Sequence, residues 1–494
     1  MNAFLLFTIL PVVAIVVSTL PGVSVRVRHA SALAGGLVAA AIGCASALPV
    51  LVGSVPAFVA PLIRMDRIAA FMLFLVMCVY AAAVVASFVH LRREHAEGHV
   101  TERALRMYYG LLHIFVLSMV LAMLADHIVL LWLALEATTL STTTLVAFRR
   151  TTGSIEAAWK YIVLCSTGIT LGLLGVLMMG FAGQSTGALH GSDAFLLSAL
   201  QAHAAGLSPV AVQWAFVFLF IGIGTKVGFA PMHTWLPDAH SKTPSPISAL
   251  LSGVLLNVAF VVLLRFKLIA DLALGSSQWT ERFFLVFGVL SIAVAAFVLL
   301  TQRNYKRMLG YSSIEHMGIM AFAVGLGPFG MVPAIMHMAG HAYAKPLLFL
   351  GAGEFLHVWK TTNIAGVRAA ITRLPTTATL FLLGLLGLLA VPPSALFASE
   401  LIMVGYGIVR HPILTALVLI LLTIAFIAMM RSSIGMILGD ASPRPEQPSA
   451  ERTSIVHGVL ALQLVAVFAL GCWFLTPSGI AFVTRLAQDL VVLL

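Results

Sequence analysis

"FIGIGTKVGFAPMHTWLPDAHSKTPSPISALLSGVLLN", residues 220–257, starts inside one apolar run and ends inside another. Between the two stand an amine, Lys226, an acid, Asp238, an imidazole, His240, and four prolines, Pro231, Pro237, Pro244 and Pro246. Proline removes a backbone donor and clashes with the preceding helical turn, so a helix entering this stretch must stop or bend near Pro231. A lysine at the centre of a membrane helix costs roughly 2.5–3.5 kcal/mol on insertion scales. Either Lys226 snorkels out past a helix end, or the chain uses a buried charge.

Working outward, the chain reads as a membrane protein. Of its 494 residues, 61% are hydrophobic and only 9% are charged, with a mean hydropathy of +1.05. A soluble domain carries about 25% charged residues. Apolar runs long enough to cross about 30 Å of hydrocarbon recur from end to end. The expected fold is an all-α polytopic bundle of about fourteen helices. They fall near 3–20, 30–53, 68–91, 107–124, 127–148, 156–182, 209–230, 245–266, 282–301, 309–326, 330–352, 375–404, 411–437 and 455–475. The first run, "FLLFTILPVVAIVVSTL", has no Lys or Arg before it and no cleavage pattern after it, so it reads as a membrane helix and not a signal peptide.

The net charge of +10 does not point to nucleic acid, because the basic residues alternate with the loops. Eighteen of them, including Arg92, Arg93, Arg149, Arg150, Arg303 and Arg307, follow odd-numbered helices, against seven on the other side. The positive-inside rule then puts odd-numbered loops in the cytoplasm and both termini outside a bacterial inner membrane. Arg265 and Lys267 are the exceptions. The four cysteines, Cys44, Cys78, Cys165 and Cys472, lie in apolar runs without a CxxC pair, so disulfide, structural zinc and iron–sulfur ligation are not expected. No phosphate-binding or dinucleotide fingerprint appears. The reading is of a chain with no cofactor, no metal and no catalytic centre of its own, drawing energy from an ion gradient or a partner.

Residues 1–106 hold three helices, 107–270 a first five-helix repeat, 280–437 the ninth helix and a second five-helix repeat, and 438–494 a linker, the last helix and a short amphipathic tail. An odd number of helices per repeat makes the second enter the membrane from the opposite side. Broken helices, here the seventh and twelfth, then mark an ion path near the midplane. Proline interrupts both, at Pro231 beside Lys226 and at Pro392-Pro393 before Glu400.

Glu136 sits about nine residues from either end of its run and cannot snorkel; it needs a partner or a proton, and an ion pair with Lys226 would supply one. A neutral, hydrogen-bonded structural Glu is the plain alternative. His337, His341 and Lys345 are spaced by four and form one helical stripe, which suits a proton relay beside Pro346. Single buried histidines are commonly satisfied core residues; three titratable groups in register weaken that reading. Glu400 adds a far carboxylate, and Glu315 and His316 two further titratable groups. The pair His337/His341 could bind a transition metal only if an acid joined it, and sequence spacing offers none close by.

These residues sit in "HTWLPDAHSKTPSPISALLSGVLLN", "NYKRMLGYSSIEHMGIM", "HAYAKPLLFLGAGE" and "PPSALFASE", which resemble the antiporter-like subunits of respiratory complex I. That superfamily includes Mrp-type cation/proton antiporters and the membrane arms of energy-converting hydrogenases. "ALEATTL" and "SSIEHMG" look most like the F subunit of hydrogenase-4, of formate-hydrogenlyase-type complexes. The resemblance implies that Glu136 and Lys226 gate proton uptake, that His337, His341 and Lys345 form the relay, and that Glu400 stands at the exit. It implies partners too: other antiporter-like and membrane-arm subunits and a peripheral iron–sulfur, nickel or quinone-linked redox module. Asp238, His240, Ser252, Asn257, Glu315 and His316 are candidate relay positions. Related subunits often carry Lys or His in the eighth helix where this chain has Ser252 and Asn257, so water would have to bridge there. The family's long lateral helix has no counterpart.

Three functions fit these residues. The first is a proton-translocating subunit of a redox-driven complex. The second is a cation/proton antiporter subunit without a redox partner, including a proton channel serving inorganic-carbon uptake. The third is a membrane anchor that has lost transport. Buried carboxylates suit sodium, but as many cationic groups as acids line this path, which favours protons.

Overall fold

A computed structural model describes residues 16, 19–54, 58–60, 62–440, 451 and 453–491. The expected first helix, 3–20, and most of the linker at 439–454 lie outside them. The main helices are α1 (Val25–Leu51), α2 (Arg67–Ala96), α3 (Glu102–Leu124), α4 (Ile128–Val146), α5 (Thr152–Gln184), α6 (Pro209–Val227), α7 (Trp235–Lys242) and α8 (Ser245–Leu274). They continue as α9 (Gln278–Leu299), α10 (Tyr305–Gly325), α11 (Met331–Trp359), α12 (Pro375–Leu388), α13 (Ala395–Arg410), α14 (Pro412–Ile437), α15 (Ile455–Phe474) and α16 (Pro477–Ala487). The one described sheet is a short ribbon, Phe58–Ala60 against Ile63–Met65.

Ten described helices are long and apolar enough to cross a membrane. The expected tenth and eleventh helices form as α10 and α11, whose buried polar residues dilute their hydropathy, and the expected twelfth is split into α12 and α13. Two expected boundaries move. The seventh helix stops at Val227, not 230, because Gly228 adopts φ +88°, a left-handed cap that glycine takes without steric cost. The twelfth breaks across 389–394, around Pro392 and Pro393. An interruption that hydropathy does not show is a π-helical turn at Leu251–Leu255 inside α8, around Ser252.

The chain divides into two compact units. The first comprises 1–228, 254–283 and 485–494. Within it α5 and α6 make the most intimate contact, because small residues let the backbones meet: a side chain added at Gly222 would lie 2.5 Å from the Gly172 nitrogen, and one at Gly168 would lie 2.7 Å from Thr225. The same unit holds a buried charge cluster. Arg265 donates to Asp66 at 2.9 Å, Arg64 pairs with Asp66 at 3.0 Å, and Lys267 pairs with Asp271 at 2.5 Å. Arg265 and Lys267, 1% and 2% exposed, are thus internal ion-pair members and not loop charges.

The second unit comprises 229–253 and 284–484. Its hub is α11, which packs against α10, α12, α13 and α15, so nearly all of its first twenty-two residues are buried. A helix surrounded this way has no lipid-facing side onto which a polar residue could turn. Gly253 packs directly on Pro346, where α11 loses a hydrogen bond.

Candidate functional site

In the first unit, Lys226 lies in the last turn of α6 and is fully buried. It does not snorkel. Its Nζ donates to Thr139 Oγ1 at 2.8 Å and to the Tyr161 phenol at 2.9 Å, and it sits 5.1 Å from the centre of that ring. The negative end of the α6 dipole also favours a cation there. Glu136, half-buried on α4, accepts instead from Ser166 at 2.7 Å, and its Oε2 has no hydrogen-bond partner among the described residues. The Glu136–Lys226 ion pair expected from sequence is therefore not the contact that forms. Thr139, one helical turn past Glu136, takes the amine in its place.

The hydroxyls around Lys226 are oriented. Thr142 donates to the Thr138 carbonyl at 2.6 Å, so its oxygen accepts from the Tyr161 hydroxyl, 2.7 Å away. Tyr161 in turn accepts from Lys226. The result is a one-directional chain from the amine through a phenol and a hydroxyl to the α4 backbone.

The second unit repeats this logic with imidazoles. His316 Nδ1 and His337 Nε2 are 2.9 Å apart, and His337 Nδ1 lies 2.9 Å from Ser399 Oγ. Ser399 donates to the Leu396 carbonyl at 2.8 Å, so it must accept from His337. His337 Nε2 is then the acceptor, and His316 donates to it, which assigns both tautomers. Lys345, fully buried, donates to the Leu309 carbonyl at 3.0 Å and to Ser312. The stripe His337/His341/Lys345 is present on α11, but its members reach across to α10 and α13 and not along their own helix.

The remaining positions separate. His341 lies with its ring 5.6 Å from that of His316, and neither of its nitrogens has a hydrogen-bond partner among the described residues. Glu315 is 3% exposed, beside His316 on α10. Glu400 joins His316 and His337, with one donor atom from each within 4.8 Å of the others. The acid that sequence spacing could not supply to a metal site is thus brought in by α13, together with His316 in place of His341. Ser252 bonds Ser313 at 2.7 Å, and Asn257 is fully buried. His240 is fully buried with its ring edge-on to Phe349. Asp238 stands apart, in an ion pair with the half-exposed Arg307 at 3.3 Å.

Sequence reading missed the neutral partners: Thr139, Thr142, Tyr161 and Ser166 in one unit, Ser312 and Ser399 in the other. A phenol inside an apolar run and the "TTLSTTT" cluster of 138–144 were the available signals.

Residues 125–428 match the family described as NADH:quinone oxidoreductase/Mrp antiporter, transmembrane. The chain is 35% identical over 359 residues to a hydrogenase-4 component F homolog of Methylacidiphilum infernorum, covering 72% of this chain and 75% of that protein. Its fold is similar to a chain of the membrane-bound sulfane sulfur reductase, an archaeal respiratory membrane complex, with a TM-score of 0.87 at 22% identity over 99% of this chain and 98% of the other. It is also similar to a chain of the Mrp complex of a Dietzia species, with a TM-score of 0.82 at 17% identity over 99% and 97%.

Proposed function

This chain belongs to the NADH:quinone oxidoreductase/Mrp antiporter membrane family, and from that membership we propose that it is the proton-translocating subunit of a redox-driven, hydrogenase-type membrane complex. The observation that carries the reading is Lys226: an amine with no exposed surface, held by two neutral hydroxyls, with no carboxylate in ion-pair range among the described residues. A cation desolvated without a partner is expensive, and structural cations are placed to avoid that expense, as Arg265 is by Asp66. An amine in this position is suited to taking up and giving away a proton.

The hydrogen bonds around Lys226 and between His316, His337 and Ser399 support the following mechanism. Glu136 collects a proton near Ser166; Lys226 exchanges its own through Tyr161 and Thr142. In the second unit Lys345, His316 and His337 carry protons toward Ser399 and Glu400. Each transfer along an oriented hydrogen-bond chain inverts the donors, and the chain must turn back before the next proton. That reset is where a partner's redox step can couple. The chain's loops after odd-numbered helices face the cytoplasm of a bacterial cell in this reading, which the burial of Arg265 and Lys267 supports.

The test is the company the chain keeps and what it does there. Affinity-tagged chain, extracted in mild detergent, should bring down a subunit bearing an iron–sulfur or nickel centre. Lys345→Met in that complex should lower protons moved per electron. Isolation with ion-transport partners alone, together with sodium-dependent transport that needs no redox substrate, overturns the reading.

A further inference from the structure

We propose that His316, His337 and Glu400 form an inhibitory binding site for a divalent transition-metal ion of the zinc class. Two imidazoles and one carboxylate are a recurrent zinc ligand set that leaves a fourth position open. Here they arrive from three separate helices of the second unit, α10, α11 and α13, with donor atoms within 4.8 Å of one another. Tetrahedral ligands at about 2.0–2.1 Å from zinc stand about 3.3 Å apart. The imidazole nitrogens, at 2.9 Å, are already that close, and the flexible Glu400 side chain has at most about 1.5 Å to close.

Two further observations point to a ligand. His316 Nε2, on a side chain 2% exposed, has no hydrogen-bond partner among the described residues. His337 also donates its Nδ1–H to Ser399, the outer hydrogen bond that fixes ring orientation and tautomer in metal-bound histidines. His337 Nε2 already presents a lone pair, while His316, protonated at Nδ1, moves that proton to its unpartnered Nε2 to offer Nδ1 to the ion.

An ion held here takes up the lone pair through which His337 accepts from His316, and the hydrogen bond between the rings is replaced by two metal–nitrogen bonds. No proton then passes between them. This blocking consequence rests on the proposed relay; the binding itself does not.

The purified complete complex is titrated with Co²⁺, whose visible ligand-field absorption reports nitrogen ligation, and then with Zn²⁺ as competitor. One equivalent per chain is expected, displaced by Zn²⁺. Both His316→Gln and Glu400→Gln should weaken it at least about tenfold, while His341→Gln binds like the parent. Glu400→Asp, which keeps the charge on a shorter arm, serves where Glu400→Gln fails to assemble, and should also weaken binding. Absence of a saturable Co²⁺ spectrum in the parent complex overturns the site regardless of any variant. So does undiminished binding in His316→Gln, or loss confined to His341→Gln. If Co²⁺ binds as expected but Zn²⁺ leaves proton transfer untouched, the ligand set stands and its inhibitory role is overturned.

Discussion

The Lys226 amine and the Tyr161 phenol are joined by a 2.9 Å hydrogen bond between two helices that touch backbone to backbone. The bond depends on that approach. Gly168, Gly172 and Gly222 bring α5 and α6 together, and the phenol of one reaches the amine of the other within a fully buried pocket.

Tyr161→Phe keeps the ring and its contact with the ammonium but removes the hydroxyl that links Lys226 to Thr142. A buried hydrogen bond to a charged group contributes about 1.5–3 kcal/mol. Proton translocation by the intact complex should fall by about tenfold or more, with the amount of assembled complex unchanged. Proton uptake into vesicles, normalised to the amount of complex, measures it.

Gly222→Ala puts a methyl group 2.5 Å from the Gly172 nitrogen, so the helices must part. Overpacking of this kind costs about 1–3 kcal/mol. The variant should melt at lower temperature and lose transport together, because separating α5 from α6 also stretches the Lys226–Tyr161 bond. A thermal melt of the complex, followed by subunit-resolved aggregation, is read beside the spacing of the helices: Tyr161→Phe loses a hydrogen bond but leaves α5 and α6 in contact, whereas Gly222→Ala parts them.

Asp66→Asn leaves Arg265 buried beside a neutral amide and releases Arg64. Breaking a buried pair from one side costs about 3–5 kcal/mol, whereas replacing both partners with apolar residues is far milder. Asp66→Leu with Arg265→Met should therefore recover much of the stability lost in Asp66→Asn, read by chemical denaturation or yield of assembled complex.

Glu451 ties the end of the linker to two helices. Burial works against its charge, but donation from the Thr377 hydroxyl and the Thr376 and Thr377 amides outweighs it and holds the carboxyl below the ordinary carboxylate range. His457 also donates to it, at 2.9 Å. A lowered folded value gives stability that is present above the unfolded value, about 4.3, and lost as pH falls through the folded one. Amide exchange at Thr376 and Thr377 should stay slow from neutral pH down to about 5 and speed up below about 4. Glu451→Gln should remove that dependence.

How much of this was legible follows from what each residue must do. Helix spans could be read because lipid demands about twenty apolar residues, and the breaks because Pro231 and Pro392-Pro393 cannot continue a helix. Lys226, His337 and Lys345 announced themselves as costly groups inside apolar runs. Their partners did not: Tyr161, Thr139 and Ser399 are inexpensive to bury and look like ordinary helix residues until a neighbour's position is known. Arg265 was misread for the opposite reason, since its acid, Asp66, lies 199 residues away. The Lys267–Asp271 pair could have been found, because its four-residue spacing puts both on one face. The Gly228 cap that ends α6 two residues past Lys226 needed backbone angles to be seen.

The most direct test is the proton-to-electron ratio of the complete complex carrying Lys226→Ala, measured in sealed vesicles with redox turnover followed in parallel. Electron transfer continuing with a clearly lowered proton yield is the predicted result. An undiminished ratio at normal assembly would show that the buried amine carries no protons, and the reading of the site would fail with it.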